Sequence, residues 1–167
     1  MKVSRKLLRM TEAELEQFLT ESKYGRLATA NAAAEPHITP LGYVCVDGAI
    51  WFHALREGRR GRDLAENPNV AFLVDDGLGP GETYRQRRGA IVYGTCVVAD
   101  DDARLDDVRH AFMVAMEAKS LRDVQRRTHS WYRIDVGRTS SWDFRKIPVG
   151  TDWKVDRELE AAERPAE

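Results

Sequence analysis

Leu15, Phe18 and Leu19 recur at helical spacing between Thr11 and Ser22. Thr11 and Glu14 precede them in capping-box spacing, so the segment predicts a short amphipathic helix. From Arg26 the period shortens. "RLATA", "HITPLGYVCV" and "AIWFHA" read as strands, and Asp47-Gly48, between the last two, favours the left-handed backbone angles of a tight hairpin. Consecutive hairpins predict an antiparallel meander. "NVAFLVDD" alternates Val70, Phe72 and Val74 with Ala71 and Leu73, as expected of a strand buried on both faces near the sheet centre. Gly77 to Gly89 is glycine-rich and polar and predicts a loop, followed by a strand, "AIVYGTCVVA", and an acidic turn, "DDDA". Leu105, Val108, Phe112, Ala115 and Met116 trace one stripe of a second helix, and "SWYRIDV" and "SSWDFRKI" predict two final strands. No repeat or linker divides the chain. The pattern predicts an α+β fold, a small antiparallel barrel with flanking helices over residues 1–149, and a polar tail over 150–167 that either hangs loose or docks on a partner subunit.

Composition narrows the classes. In 167 residues, 26 Lys and Arg stand against 27 Asp and Glu, so no global field holds nucleic acid or an anionic membrane, and any anion is bound locally. The longest apolar runs are too short to span a bilayer and the N-terminus lacks a signal-peptide core, so a cytosolic (cytoplasmic) protein is expected. Cys45 and Cys96 lie in apolar stretches with neither CxxC spacing nor a histidine at metal-ligand distance, and are expected to be reduced core residues; no metal site is predicted.

Against this neutral background, "ALREGRRGRDLAENP" crowds Arg56, Arg59, Arg60 and Arg62 at a predicted junction of strand and helix. Such a junction offers unpaired backbone N–H groups, and arginine adds a planar fork suited to phosphate. A solvated helix start with Arg–Glu pairs reads the same residues differently. Acidic residues follow at once and no aromatic stacking surface accompanies the arginines, which disfavours nucleic acid. No HExxH, GxSxG or Walker motif occurs, and "GLGPG" has no helical period after it, which reads as a loop rather than a dinucleotide site. His53, at a strand end, could orient a substrate or supply a proton, or it could serve the structure; His37 and His129 have weaker claims, and His110 reads as solvated.

The run from Gly25 to Asp76, and above all "GRRGRDLAENP" after an aromatic strand, resembles the pyridoxamine 5'-phosphate oxidase-like flavoproteins with an FMN-binding split β-barrel. The resemblance extends over about residues 10–146. It implies that Arg59 and Arg60 bind the flavin phosphate, and that His37, Ile38, Thr39, Pro40 and Leu41 line the ring edge together with Phe52, His53 and Ala54. By the same resemblance Arg88 offers a polar side chain to the flavin, and Trp142 is a late aromatic contributed across a homodimer, where Trp131 and Trp142 would be buried. The chain departs from the vitamin-making oxidases in its C-terminal segment, since "SSWDFRKIPVGTDWK" has no Arg-x-His-like substrate-phosphate pattern. The stretch "IWFHALREGRR" is closer to the nitroimidazole-resistance and flavin-reductase branches.

An FMN-dependent oxidoreductase is therefore expected, one that passes electrons from a reduced nicotinamide to a small organic or xenobiotic molecule. Hydride chemistry belongs to such a cofactor, which accounts for the lack of acid–base machinery. His53 is the catalytic candidate, and the Gly77 to Gly89 loop a candidate cover. A deazaflavin reductase of the same fold, or a binding protein that holds flavin or haem without turnover, is the alternative.

Overall fold

The computed structural model describes residues 5–77, 79–120 and 127–150; the tail over 151–167 lies outside them. One helical turn, α1 (Arg5–Leu8), leads to α2 (Glu12–Glu21). The predicted capping box is present: Thr11 Oγ1 accepts from the Glu14 amide and Glu14 accepts from the Thr11 amide. Phe18 and Leu19 turn its apolar face onto the sheet.

Seven antiparallel strands are formed by the described residues: β1 (Tyr24–Ala30), β2 (Pro36–Gly42), β3 (Val44–Val46), β4 (Ala49–Leu55), β5 (Asn69–Asp76), β6 (Arg88–Val98) and β7 (His129–Asp143). Helix α3 (Arg59–Glu66) links β4 to β5, and α4 (Leu105–Ala115) follows β6. The β3–β4 hairpin turns at Asp47 and Gly48, with φ of 50° and 71°, as the Asp-Gly pair predicts. The lateral order is β2-β1-β5-β6-β7-β4-β3, so the expected meander survives only as two hairpins, β1–β2 and β3–β4: β2 and β3 do not pair but lie at opposite edges, where β1 goes on to pair with β5 and β4 with β7. Two strand boundaries also change. "HITPLGYVCV" is two strands broken at Tyr43, whereas "SWYRIDV" and the "SSWD" of "SSWDFRKI" belong to one strand of 15 residues, which absorbs a register shift opposite Tyr93 and Gly94, and Phe144–Lys146 forms a 3-10 turn instead of strand.

The break at Tyr43 sets the shape. β2 and β3 lie at opposite edges of the sheet but are joined by this single residue, so the sheet must curl until its edges nearly meet. Tyr43 is fully buried, donates its hydroxyl to the Leu19 carbonyl at 2.7 Å and meets the Phe72 ring edge-on at 4.9 Å. The inner face holds the main core, including Leu27, Ile50, Phe52, Phe72, Val92 and Ile134. A second core lies on the other face of β4 and β7, where α4 covers Trp51 and Trp131 with Leu105, Val108 and Phe112. Trp131 is therefore buried by its own chain, which corrects the expectation that a subunit contact buries it. Cys96 is buried and Cys45 partly so, and both are free thiols.

Tyr43→Phe keeps the ring but leaves the buried Leu19 carbonyl without its donor. It is expected to lower the unfolding free energy by about 1–2 kcal/mol in urea titrations with an unchanged m-value.

Candidate functional site

The barrel is open where β3 is too short. β3 pairs only with Ala49 to Trp51 of β4, so Phe52 to Leu55 pair on the β7 side alone. Helix α3 packs beside this gap against β1 and β4. Its N-terminal turn carries Arg59, Arg60 and Arg62, with Gly58 as N-cap, and Arg56 precedes it. Gly61 is required here, since a Cβ at that position would meet the Arg56 carbonyl oxygen at 2.1 Å.

The four arginines have four different fates. Arg56 donates to Ser130 Oγ at 2.8 Å and lies 3.6 Å from Asp100; Arg62 donates to the Glu57 carbonyl at 2.5 Å. Arg59 is about half-exposed, 4.0 Å from Asp63. Arg60 is partly buried and crosses to β2, donating Nε to Thr39 Oγ1 at 3.0 Å. Among the described residues, no carboxylate lies within 4.0 Å of the Arg60 guanidinium, and no protein acceptor engages its two terminal nitrogens. Burial pulls its pKa below the ordinary arginine value, with a smaller opposing influence from Tyr132. A partly desolvated cation whose fork points at no protein acceptor fits a phosphate or another oxyanion.

Behind Arg60 lies a polar cluster that local sequence patterns do not disclose. Asp63 is 4% exposed; its carboxylate accepts from Thr29 Oγ1 at 2.8 Å and stands 3.4 Å from His37 Nδ1. The cluster ties α3 to β1 and β2 and fixes the rotation of the helix, hence the aim of Arg60. Asp63 lies three residues beyond Arg60, on the same helical face, and Thr29 alternates inward with Leu27; those two periods are the only sequence signal.

Strand alternation divides the other expected residues. His37, Thr39 and Leu41 share the partly buried face of β2, whereas Ile38 and Pro40 are exposed on the other. Phe52 and Ala54 point into the main core, and Phe52 stacks on Tyr132 at 5.3 Å. His53 points the opposite way, beneath α4, with its ring 5.0 Å from Phe112 and 5.2 Å from Trp131. The strand itself thus separates His53 from the Arg60 cluster. Arg88 is also apart. Thr39, Leu27, Phe72 and Val92 form one cross-strand row, and Arg88 lies four residues before Val92, about 13 Å along the strand. There it binds Asp76 at 2.7 Å and covers the Phe18 ring at 4.5 Å. Trp142 packs on Gly89 in the same region, half-buried. In the Gly77 to Gly89 segment, Tyr84–Gln86 forms a 3-10 turn, and Tyr84 stacks on Phe144, also at the Arg88 end. His129 lies beside His53, and His110 is exposed as expected.

A curled seven-strand sheet split beside an arginine-bearing helix defines a recognisable class. The chain belongs to the pyridoxamine 5'-phosphate oxidase family, whose model matches residues 11–143. It is 35% identical over 82 residues to a 5a,11a-dehydrotetracycline/5a,11a-dehydrooxytetracycline reductase of Streptomyces rimosus, a match that covers 47% of this chain and 56% of the relative. The matched stretch thus spans little more than half the length of that curated relative. Among solved structures, the conserved hypothetical protein Rv2991 of Mycobacterium tuberculosis superposes with a TM-score of 0.75 at 27% identity, covering 90% of this chain and 98% of that one. An FAD-binding protein of Mesorhizobium loti (TM-score 0.63, 23% identity, 79% and 94% covered) and the haem storage protein HutZ of Vibrio cholerae (0.63, 17%, 78% and 94%) share the fold. Among the described residues no group of side chains is arranged to hold a metal ion, and no helix is long and apolar enough to cross a membrane.

Asp63→Ala removes the acceptor of Thr29 and the partner of His37 and is expected to lower stability by about 1–3 kcal/mol; Asp63→Asn, which keeps an acceptor oxygen, is expected to cost less than half of that in the same denaturation assay.

Proposed function

We propose that the protein is a flavin-dependent oxidoreductase that holds FMN at the split of the barrel and passes electrons from a reduced nicotinamide to a small organic molecule. The observation that carries this reading is Arg60: a partly buried guanidinium, oriented by Thr39, with its fork unengaged by the described residues. Arg60 and Thr39 would hold the cofactor phosphate, with Arg59 adding charge from the helix start. His37 and Leu41, on the same face of β2, would border the remainder of the cofactor, and Phe52 and Ala54 would close its apolar side. A bound flavin supplies hydride transfer, while the chain binds, orients and excludes water. The reductase relative supports turnover over simple storage. His53, on the far face of β4, is assigned to packing between β4 and α4.

The reading includes a second copy of the chain. Ile38, Ala28, Ala71 and Tyr93 form one cross-strand row on the outer face of β2, β1, β5 and β6, and Ile38 is 61% exposed. A homodimer would cover this row and bring a second subunit against β2, the strand that bears Thr39.

Three outcomes test the proposal. Arg60→Ala is expected to weaken FMN binding by about 1.5–3 kcal/mol in calorimetric titrations and to leave riboflavin, which has no phosphate, nearly unaffected; equal losses would remove the phosphate from this residue. Sedimentation is expected to show a dimer that Ile38→Asp dissociates; a wild-type monomer that still binds FMN would contradict it. In stopped-flow absorbance, NADH or NADPH is expected to reduce the bound flavin and a small quinone or nitro compound to reoxidise it over repeated cycles. Reduction by a reduced deazaflavin alone would keep the enzyme and change its donor, whereas failure of every donor and acceptor would leave a flavin- or haem-binding protein.

A further inference from the structure

β7 pairs with β6 from Tyr132 to Asp143, but on its other side β4 reaches only from His129 to Ile134. From Asp135 to Asp143 that second edge meets no described strand. Phe144 donates its amide to the Arg87 carbonyl on the β6 side, so by alternation the backbone N–H and C=O groups of Ser141 and Thr139 point out of the free edge. Such a row of unpaired groups is a template for a further strand. Beside it, helices α1 and α2 leave a groove, held on one side by the Met10 amide, which donates to Ser141 Oγ at 3.1 Å. Two cavities of about 490 and 350 Å³ share Arg9, Ser140 and Ser141, and the smaller ends on Leu8, Trp142 and Phe144. The walls are basic. Arg5 and Arg9 line them with Glu12 as the one acid, and among the described residues no carboxylate lies within 4.0 Å of the Arg9 guanidinium.

The chain itself carries a segment of matching charge and period. Residues 151–167 hold six Asp and Glu against three Lys and Arg, the opposite sign to the groove. Their first part, "TDWKVD", alternates Trp153 and Val155 with Asp152, Lys154 and Asp156, the period of a strand with one apolar face. The point of departure is also right. Ile147 packs on Leu8 and Phe144 at the end of the groove, and Gly150, with φ of 79°, lets the chain reverse there. Trp153 lies six residues beyond Ile147, about 20 Å of extended chain at most, so its indole is within reach of the apolar end.

We propose that residues 152–157 add to the free edge of their own β7 as an antiparallel strand, with Trp153 in the cavity beside Leu8, Trp142 and Phe144 and the acidic side chains facing Arg9. A strand in this place would satisfy the outward groups of Thr139 and Ser141 and close an edge that would otherwise pair with other chains. The docking surface is separate from the site of Arg60 and Thr39, and it stands whether or not a flavin binds there.

Amide hydrogen exchange and NOE spectroscopy on the full-length protein test this. Cross-strand NOEs are expected between residues 153–155 and Thr139 to Ser141, and the Thr139 and Ser141 amides are expected to exchange slowly. Trp153→Ser is expected to speed exchange at those two amides about tenfold or more, while the amides of Phe72 and Val92 in the sheet interior keep their rates. Arg9→Glu, which puts an acid opposite the acidic segment, is expected to speed the same two amides. The proposal is overturned if Thr139 and Ser141 exchange at unprotected rates in the wild type, or if either substitution leaves their rates unchanged. It is also overturned if, in a mixture of isotope-labelled and unlabelled chains, the NOEs run between chains, which would make the occupant a second copy. FMN affinity enters none of these readouts, so failure of the flavin reading would leave the result intact.

Discussion

A single residue of connection between the two edges of the sheet governs this molecule. β2 and β3 are as far apart as strands in one sheet can be, and Tyr43 is all that joins them. An open sheet of normal twist could not place its edges so close, so the sheet curls, and the inner face becomes a core that Phe18 and Leu19 of α2 help to fill. Because β3 is three residues long, closure is incomplete, and the second half of β4 is left without a neighbour on one side. α3 occupies the flank of that opening. The slot, the helix over it and the reach of Arg60 to β2 all depend on where the chain turns.

The arginine cluster shows why a local count of charge is a poor guide to a binding site. Two of the four guanidinium groups hydrogen-bond the chain beside them or across β7, and a third leans on a buried carboxylate from a half-exposed position. Arg60 alone is drawn in, because its place on α3 aims it at Thr39. Asp63 enforces that aim. A buried carboxylate is tolerable only with polar groups around it, and here Thr29 of β1 donates to it while the His37 imidazole of β2 stands 3.4 Å away, so the polar cluster registers helix against sheet.

Much of the fold was legible. The capping box at Thr11, the Asp47-Gly48 turn and the stripe of α4 rest on local chemistry, and local chemistry survives in the folded chain. The meander survived only as the β1–β2 and β3–β4 hairpins, because hydrophobic period says which residues form strands but not which strands pair, and β2 and β3 part to opposite edges. Pro40 and Gly42 stand just before the break at Tyr43, so a local signal was present there, although it does not say that the two strands go to opposite edges. The resemblance brought out Arg60, Thr39 and His37, which do converge, but the alternation of β2 and β4 turns Ile38, Pro40 and His53 away from them, and register puts Arg88 and Trp142 near the opposite end. Asp63, Thr29 and Tyr132 carry no motif; they matter through long-range contacts that a linear reading does not contain.

The central claim is that the split between β2 and β4, with Arg60 reaching across it, is where a phosphate-bearing cofactor sits. A crystal structure of the full-length protein grown with FMN tests this most directly. The account predicts flavin phosphate oxygens within hydrogen-bonding distance of the Arg60 terminal nitrogens and Thr39 Oγ1, with the ring running along the His37–Leu41 face of β2. A flavin bound instead beside Arg88 and Trp142, or with its phosphate held by Arg56 and Arg62 next to Tyr132, would contradict it.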